Sequence, residues 1–136
     1  MIKTILVIII VLHGMIHLLG FFKEWNVVQV TQLWGETIFP VSAGISKLLG
    51  ILWIMACLVF LFSATSLILN KDWWWKLALI GVIVSQTLII IYWRDARAGT
   101  LANLVIIATL IMVINNYHFI EPTGNTEKKI QTSEKV

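Results

Sequence analysis

Cysteine, proline and charge are all scarce in this sequence, and each scarcity removes a class of protein. The single cysteine, Cys57, lies inside an apolar run. It has no partner for an internal disulfide and no second cysteine at metal-ligand spacing, so it reads as a small buried hydrophobe. The two prolines, Pro40 and Pro122, both fall outside the long apolar runs. Those runs therefore lack the paired mid-depth breaks that point to substrate sites in many transporters. Charged residues make up 12% of the chain, against about 25% in ordinary soluble domains. The net charge of +3 is spread along the sequence with no basic block, which argues against nucleic acid as a partner.

What is abundant is apolar surface: 59% of the residues are hydrophobic. One soluble core of this length cannot hide so much, which makes the lipid bilayer the partner that solvates it. Four runs stand out, over residues 4–22, 48–69, 77–93 and 101–119. About 20 apolar residues cross a hydrocarbon core as a helix, with a range of about 17–25. The runs lack the alternation of a membrane barrel, and in lipid a continuous run satisfies its backbone only as a helix. The expected fold class is all-α, an integral membrane four-helix bundle over residues 1–120, with a polar, disordered tail over 121–136. Met1-Ile2-Lys3 opens like a signal peptide, but no small-x-small cleavage site follows and the run continues to Phe22, so we read an uncleaved first span.

The connections differ in kind. Asn70-Lys71-Asp72 closes the second helix, with Asp72 placed to cap the third, and Trp73, Trp74 and Trp75 read as an interfacial anchor. The stretch Arg94 to Gly99 is short, with Thr100 placed to cap the fourth helix. Short links make helices two to four sequential antiparallel neighbours. Residues 23–47 are too long for a turn and too polar to span, and are expected to lie on the membrane surface or fold over the helix ends, broken by Pro40 and Gly44. Four crossings put both termini on one side of a cell membrane. That side carries Lys3, Lys71, Lys76, Lys128, Lys129 and Lys135, and the other Lys23, Lys47, Arg94 and Arg97. The positive-inside rule then places the termini in the cytoplasm.

Ionisable groups within a span are costly and mark candidate sites. His13 and His17 are four apart on the first helix, so they share a face about 6 Å apart along the axis, and Gly20 and Glu24 continue the stripe. A glycine there permits close approach of another helix. Antiparallel topology puts His17, Lys47, Arg94, Asp95, Arg97 and Asn103 in one membrane half, with Ser85 and Gln86 level with His13. The histidines could serve only as polar glue, bonding Gln86 or Asn103 across the bundle. As a ligand site, the set is His13, His17, Gln86, Asn103, Arg94 and Arg97. No cysteine or carboxylate in the spans completes a metal set. A bis-histidine haem is disfavoured, because the third histidine, His118, lies about 26 Å along its helix from Leu101. Ser46 and Ser85 have no histidine-carboxylate partner at a recognisable spacing.

The segment His13-Gly14-x-x-His17-Leu18-x-Gly20-Phe21 resembles the first helix of the DoxX-like family of small four-helix bacterial membrane proteins. In that family a lysine often stands where this chain has His17. The resemblance implies a quinone-facing or redox-accessory protein and does not mark an enzyme. Two functions follow as expectations. One is an accessory protein holding a lipid-soluble ligand such as a quinone at His13 and His17. The other is a structural subunit, or homo-oligomer, that packs against a membrane protein partner and binds no ligand of its own.

Overall fold

The computed structural model describes residues 2–27 and 37–112. Within them the chain is all-α: α1 (Ile2–Glu24), α2 (Ala43–Ile68), α3 (Trp74–Ile91), the short α4 (Trp93–Ala96) and α5, described over Gly99–Met112. The first three are long and apolar enough to cross a membrane, which makes the chain a multi-pass membrane protein by helix length and hydropathy. The fourth expected crossing, 101–119, runs past the described residues, as do the tail and His118.

Helix ends follow local chemistry. Asn26 and Asn70 adopt positive φ (51° and 53°) just past α1 and α2. In each case a five-residue-back bond closes the turn, from Val27 N to Phe22 O (2.9 Å) and from Lys71 N to Ser66 O (2.9 Å). Asparagine tolerates this left-handed conformation, and the bond satisfies a carbonyl that the helix end would otherwise orphan. α2 begins five residues before the expected start at 48, because the Ser42 hydroxyl accepts from Ile45 N (3.4 Å) and caps it. Pro40 precedes that cap, and Gly44 sits inside the first turn and does not break it.

Three further expectations need correction. Trp73, not Asp72, occupies the cap position of α3, and it makes no side-chain capping bond. Thr100 lies within α5, where its hydroxyl accepts from Gln86 Nε2 (3.3 Å). Of the three tryptophans, Trp74 is turned into the core, and its carbonyl accepts from the Ser63 hydroxyl (3.0 Å), while Trp73 stays exposed. The long first connection is shorter than residues 23–47, since α1 and α2 consume both its ends. Its described parts fold across helix ends: Trp25 Nε1 donates to Lys47 O (3.2 Å) and Ile38 N to Ile91 O (2.9 Å).

The interior is layered. One apolar cluster takes Leu6 and Ile10 from α1, Phe60 and Leu67 from α2, Val82 from α3 and Ile106 from α5. A second, at the other end, gathers Leu49, Trp53 and Ala56 with Leu88 and Tyr92. Residue numbers rise from the first cluster to the second along α1 and α3 and fall along α2 and α5, so neighbouring helices alternate in direction. Lys3 fixes one end by donating to Asn70 Oδ1 (2.5 Å) and Ile68 O (3.2 Å). Solvation is inverted relative to a soluble protein: Phe62 and Leu101 are 64% and 69% exposed, whereas His17 is 1% exposed. That arrangement is stable when the surroundings are lipid.

Candidate functional site

Between the two apolar clusters lies a polar layer. His13 donates from Nε2 to Asn103 Oδ1 (2.9 Å) and lies 3.2 Å from the Ser85 hydroxyl. The Asn103 amide donates onward to Ser85 Oγ (3.1 Å) and Gln86 Oε1 (3.0 Å), and Gln86 continues to Thr100. One amide thus ties α1, α3 and α5 together at mid-depth. His13, Ser85, Gln86 and Asn103 share one level, as antiparallel packing requires, and their polar groups are used on one another.

His17 is placed differently. One turn further along α1, its Nδ1 bonds the carbonyl of His13 (2.8 Å), while Nε2 is buried without a partner. Aromatic rings surround it: His13 at 4.8 Å, Trp53 at 5.2 Å and Phe60 at 5.5 Å between centroids, with Tyr92 a further 5.7 Å beyond Trp53. Trp53 can lie there because Gly20 has no side chain. A Cβ on Gly20 would fall 2.6 Å from Trp53 Cγ.

Except for Phe60, these residues wall a cavity of about 240 Å³ between α1, α2, α3 and the α4–α5 corner. The stripe His13, His17, Gly20 and Glu24 forms one side, and Trp53, Ile89 and Tyr92 face it. Ile16 and Leu19, which border the cavity, are themselves exposed on the lipid-facing surface of α1, so the space adjoins lipid between α1 and α5. Charge is confined to its outer rim, where Lys23 pairs with Asp95 (3.5 Å) and the Ser46 hydroxyl donates to Glu24. Among the described residues, the buried side-chain atoms His17 Nε2 and Trp53 Nε1 lack a hydrogen-bond partner, while the buried Tyr92 hydroxyl has the Glu24 carboxylate beside it as an acceptor. All of these residues belong to the walls of this cavity. Comparison with family models, curated proteins and solved structures finds no match. None of these comparisons supports the DoxX-like resemblance of the α1 motif.

Of the six residues singled out from the sequence, His13 and His17 line the cavity. Gln86 and Asn103 stand behind it in the polar network. Arg94 and Arg97 are exposed and outside the lining, and Lys23, Glu24 and Asp95 hold the rim instead. Trp53 and Tyr92 were not distinguishable in sequence from interfacial aromatics, because only packing shows that their polar atoms are buried. Among the described residues, no group of three or more histidine, cysteine, aspartate or glutamate side chains is placed to hold a metal.

The network itself predicts a stability difference. Interhelical hydrogen bonds in membranes contribute about 0.6 kcal/mol on average and at most about 1.7. Asn103→Ala removes three partners at once and is expected to cost about 2 kcal/mol on that scale. Thr87→Ala, which deletes only a bond to its own helix at Ile83 O (2.9 Å), is expected to be close to neutral. Unfolding in mixed detergent compares the two, and equal losses would show that the network carries no stability.

Proposed function

We propose that this protein is a four-crossing membrane protein that holds a lipid-soluble ring compound, such as a quinone, as an accessory to a membrane redox system. The observation that carries the reading is the placement of two unpaired, buried polar atoms, His17 Nε2 and Trp53 Nε1, in the walls of one cavity beside lipid. An unsatisfied buried donor or acceptor costs about 1–3 kcal/mol, and the hydrocarbon core offers no water to relieve it. A ligand with a polar head and an apolar body relieves that cost and is delivered through the bilayer. His13, braced by Asn103, supports the face from which His17 works. The lysine count keeps the termini on the cytoplasmic side, where a terminal reporter is expected to be shielded from external protease.

Native mass spectrometry of protein released gently from its own membrane tests the binding role. The wild type is expected to carry a defined small-molecule adduct, and a His17→Ala/Trp53→Phe double variant to lose it. An adduct retained in the variant would remove the ligand from this cavity. A stoichiometric protein partner with no small molecule would favour the structural-subunit alternative.

A further inference from the structure

We infer that the cavity selects its ligand in the hydroxyl form, a quinol or other lipid-soluble phenol, over the corresponding carbonyl form. The inference rests on the ligand-binding reading above and adds the chemistry of the head group. It follows from which unpaired atoms can donate and which can accept.

His17 Nδ1 lies 2.8 Å from the backbone carbonyl of His13. A carbonyl oxygen only accepts, so Nδ1 carries the hydrogen. In the neutral imidazole, the form that lipid surroundings hold at least cost, Nε2 is then a lone pair and an acceptor. Trp53 Nε1 is a donor only, and the Tyr92 hydroxyl directs its hydrogen to the Glu24 carboxylate. The His17 and Trp53 rings are 5.2 Å apart, and those of Trp53 and Tyr92 5.7 Å. The walls therefore hold an unpaired acceptor on His17 and an unpaired donor on Trp53 in neighbouring rings.

A ring carbonyl can accept from Trp53 but leaves His17 Nε2 unpaired. A ring hydroxyl donates to His17 Nε2 and accepts from Trp53 Nε1, so one group satisfies both. Water has the same dual character, but a cavity of about 240 Å³ is several times the roughly 30 Å³ that one water occupies. Ile16, Leu19 and Ile89 supply apolar contacts that water cannot use. His17 Nε2 and Trp53 Nε1 are covered by their own wall, so binding includes a small turn of these rings toward the ligand.

The direct test compares a short-tailed benzoquinol, its benzoquinone and the quinol dimethyl ether, titrated anaerobically into the wild-type protein in lipid nanodiscs. The quinol is expected to bind at least about tenfold more tightly than either other compound. For a two-electron couple, tenfold tighter quinol binding raises the bound reduction potential by about 30 mV. His17→Phe is expected to abolish the preference for the quinol, and Trp53→Phe to weaken both forms. Equal affinity for quinol and quinone, or undiminished binding of the dimethyl ether, would overturn the hydroxyl selection and leave the binding reading intact. Failure of all three compounds to bind the wild type would overturn both. Because the three compounds are compared on unaltered protein, misfolding of a variant cannot mask the result.

Discussion

Gly20→Ala is expected to abolish ligand retention, although it adds only one methyl group. The added Cβ would stand 2.6 Å from both Trp53 Cγ and Cε2. These atoms are at the base and middle of the ring, so no turn of a side-chain tip relieves the contact. Trp53 is buried against Leu49, Ala56, Leu88 and Tyr92 and can yield only by displacing that cluster or by entering the cavity. Overpacking of this kind costs about 1–3 kcal/mol. Either outcome shifts Trp53 Nε1 from its place beside His17 or fills the cavity, so retained adduct is expected to fall at least about tenfold, which corresponds to about 1.4 kcal/mol of binding. Gly44→Ala is the matched control. Nothing lies within 4 Å of its added Cβ, and alanine is the better helix former by roughly 1 kcal/mol, so that variant is expected to retain ligand and unfold no earlier. A Gly20→Ala protein that keeps its full adduct would show that Trp53 has no part in the site.

The same glycine shows how far the sequence could be read. The stripe of His13, His17, Gly20 and Glu24 follows from three- and four-residue helical spacing alone, and all four line the cavity. The level shared by His13, Ser85 and Asn103 follows from counting along antiparallel spans. What the spacing does not reveal is which donors remain unpaired, because that depends on partners supplied by other helices. His13 and His17 look equivalent in the sequence. In the fold one is consumed by Asn103 and the other is left open at Nε2. Arg94 and Arg97 suggested a cationic mouth, but α3 ends at Ile91, and the Tyr92 break (φ −106°, ψ 39°) precedes a separate short helix. No proline or glycine marks that break. It leaves both arginines exposed while Asp95 turns to meet Lys23.

Phe60 is the position where two glycines converge, and they are expected to answer differently to its removal. Its ring is fully buried and lies 5.0 Å from His13 and 5.5 Å from His17, at the boundary between the first apolar cluster and the polar layer. Phe60→Ala is expected to cost about 3–5 kcal/mol, the usual range for a buried aromatic whose cavity only partly collapses. Gly81→Ala would bring a methyl group to 2.9–3.2 Å of the Phe60 ring atoms and of nothing nearer. Gly14→Ala would place one 2.9 Å from Phe60 Cβ and 3.4 Å from the Cys57 carbonyl. Each single glycine variant is expected to lose about 1–3 kcal/mol by overpacking. In the background of Phe60→Ala the two part company. The Gly81 methyl then fills space vacated by the ring, so the pair should be less damaging than the sum by about 1–3 kcal/mol, within the range seen for contacting residues. The Gly14 methyl still meets Cβ and backbone, both unchanged by the substitution, so that pair should be close to additive. Unfolding of the wild type, the three single variants and the two doubles in one detergent system measures both couplings. Equal couplings would mean that α1 and α3 do not meet Phe60 as described here, and the placement of His17 beside that ring would lose its support.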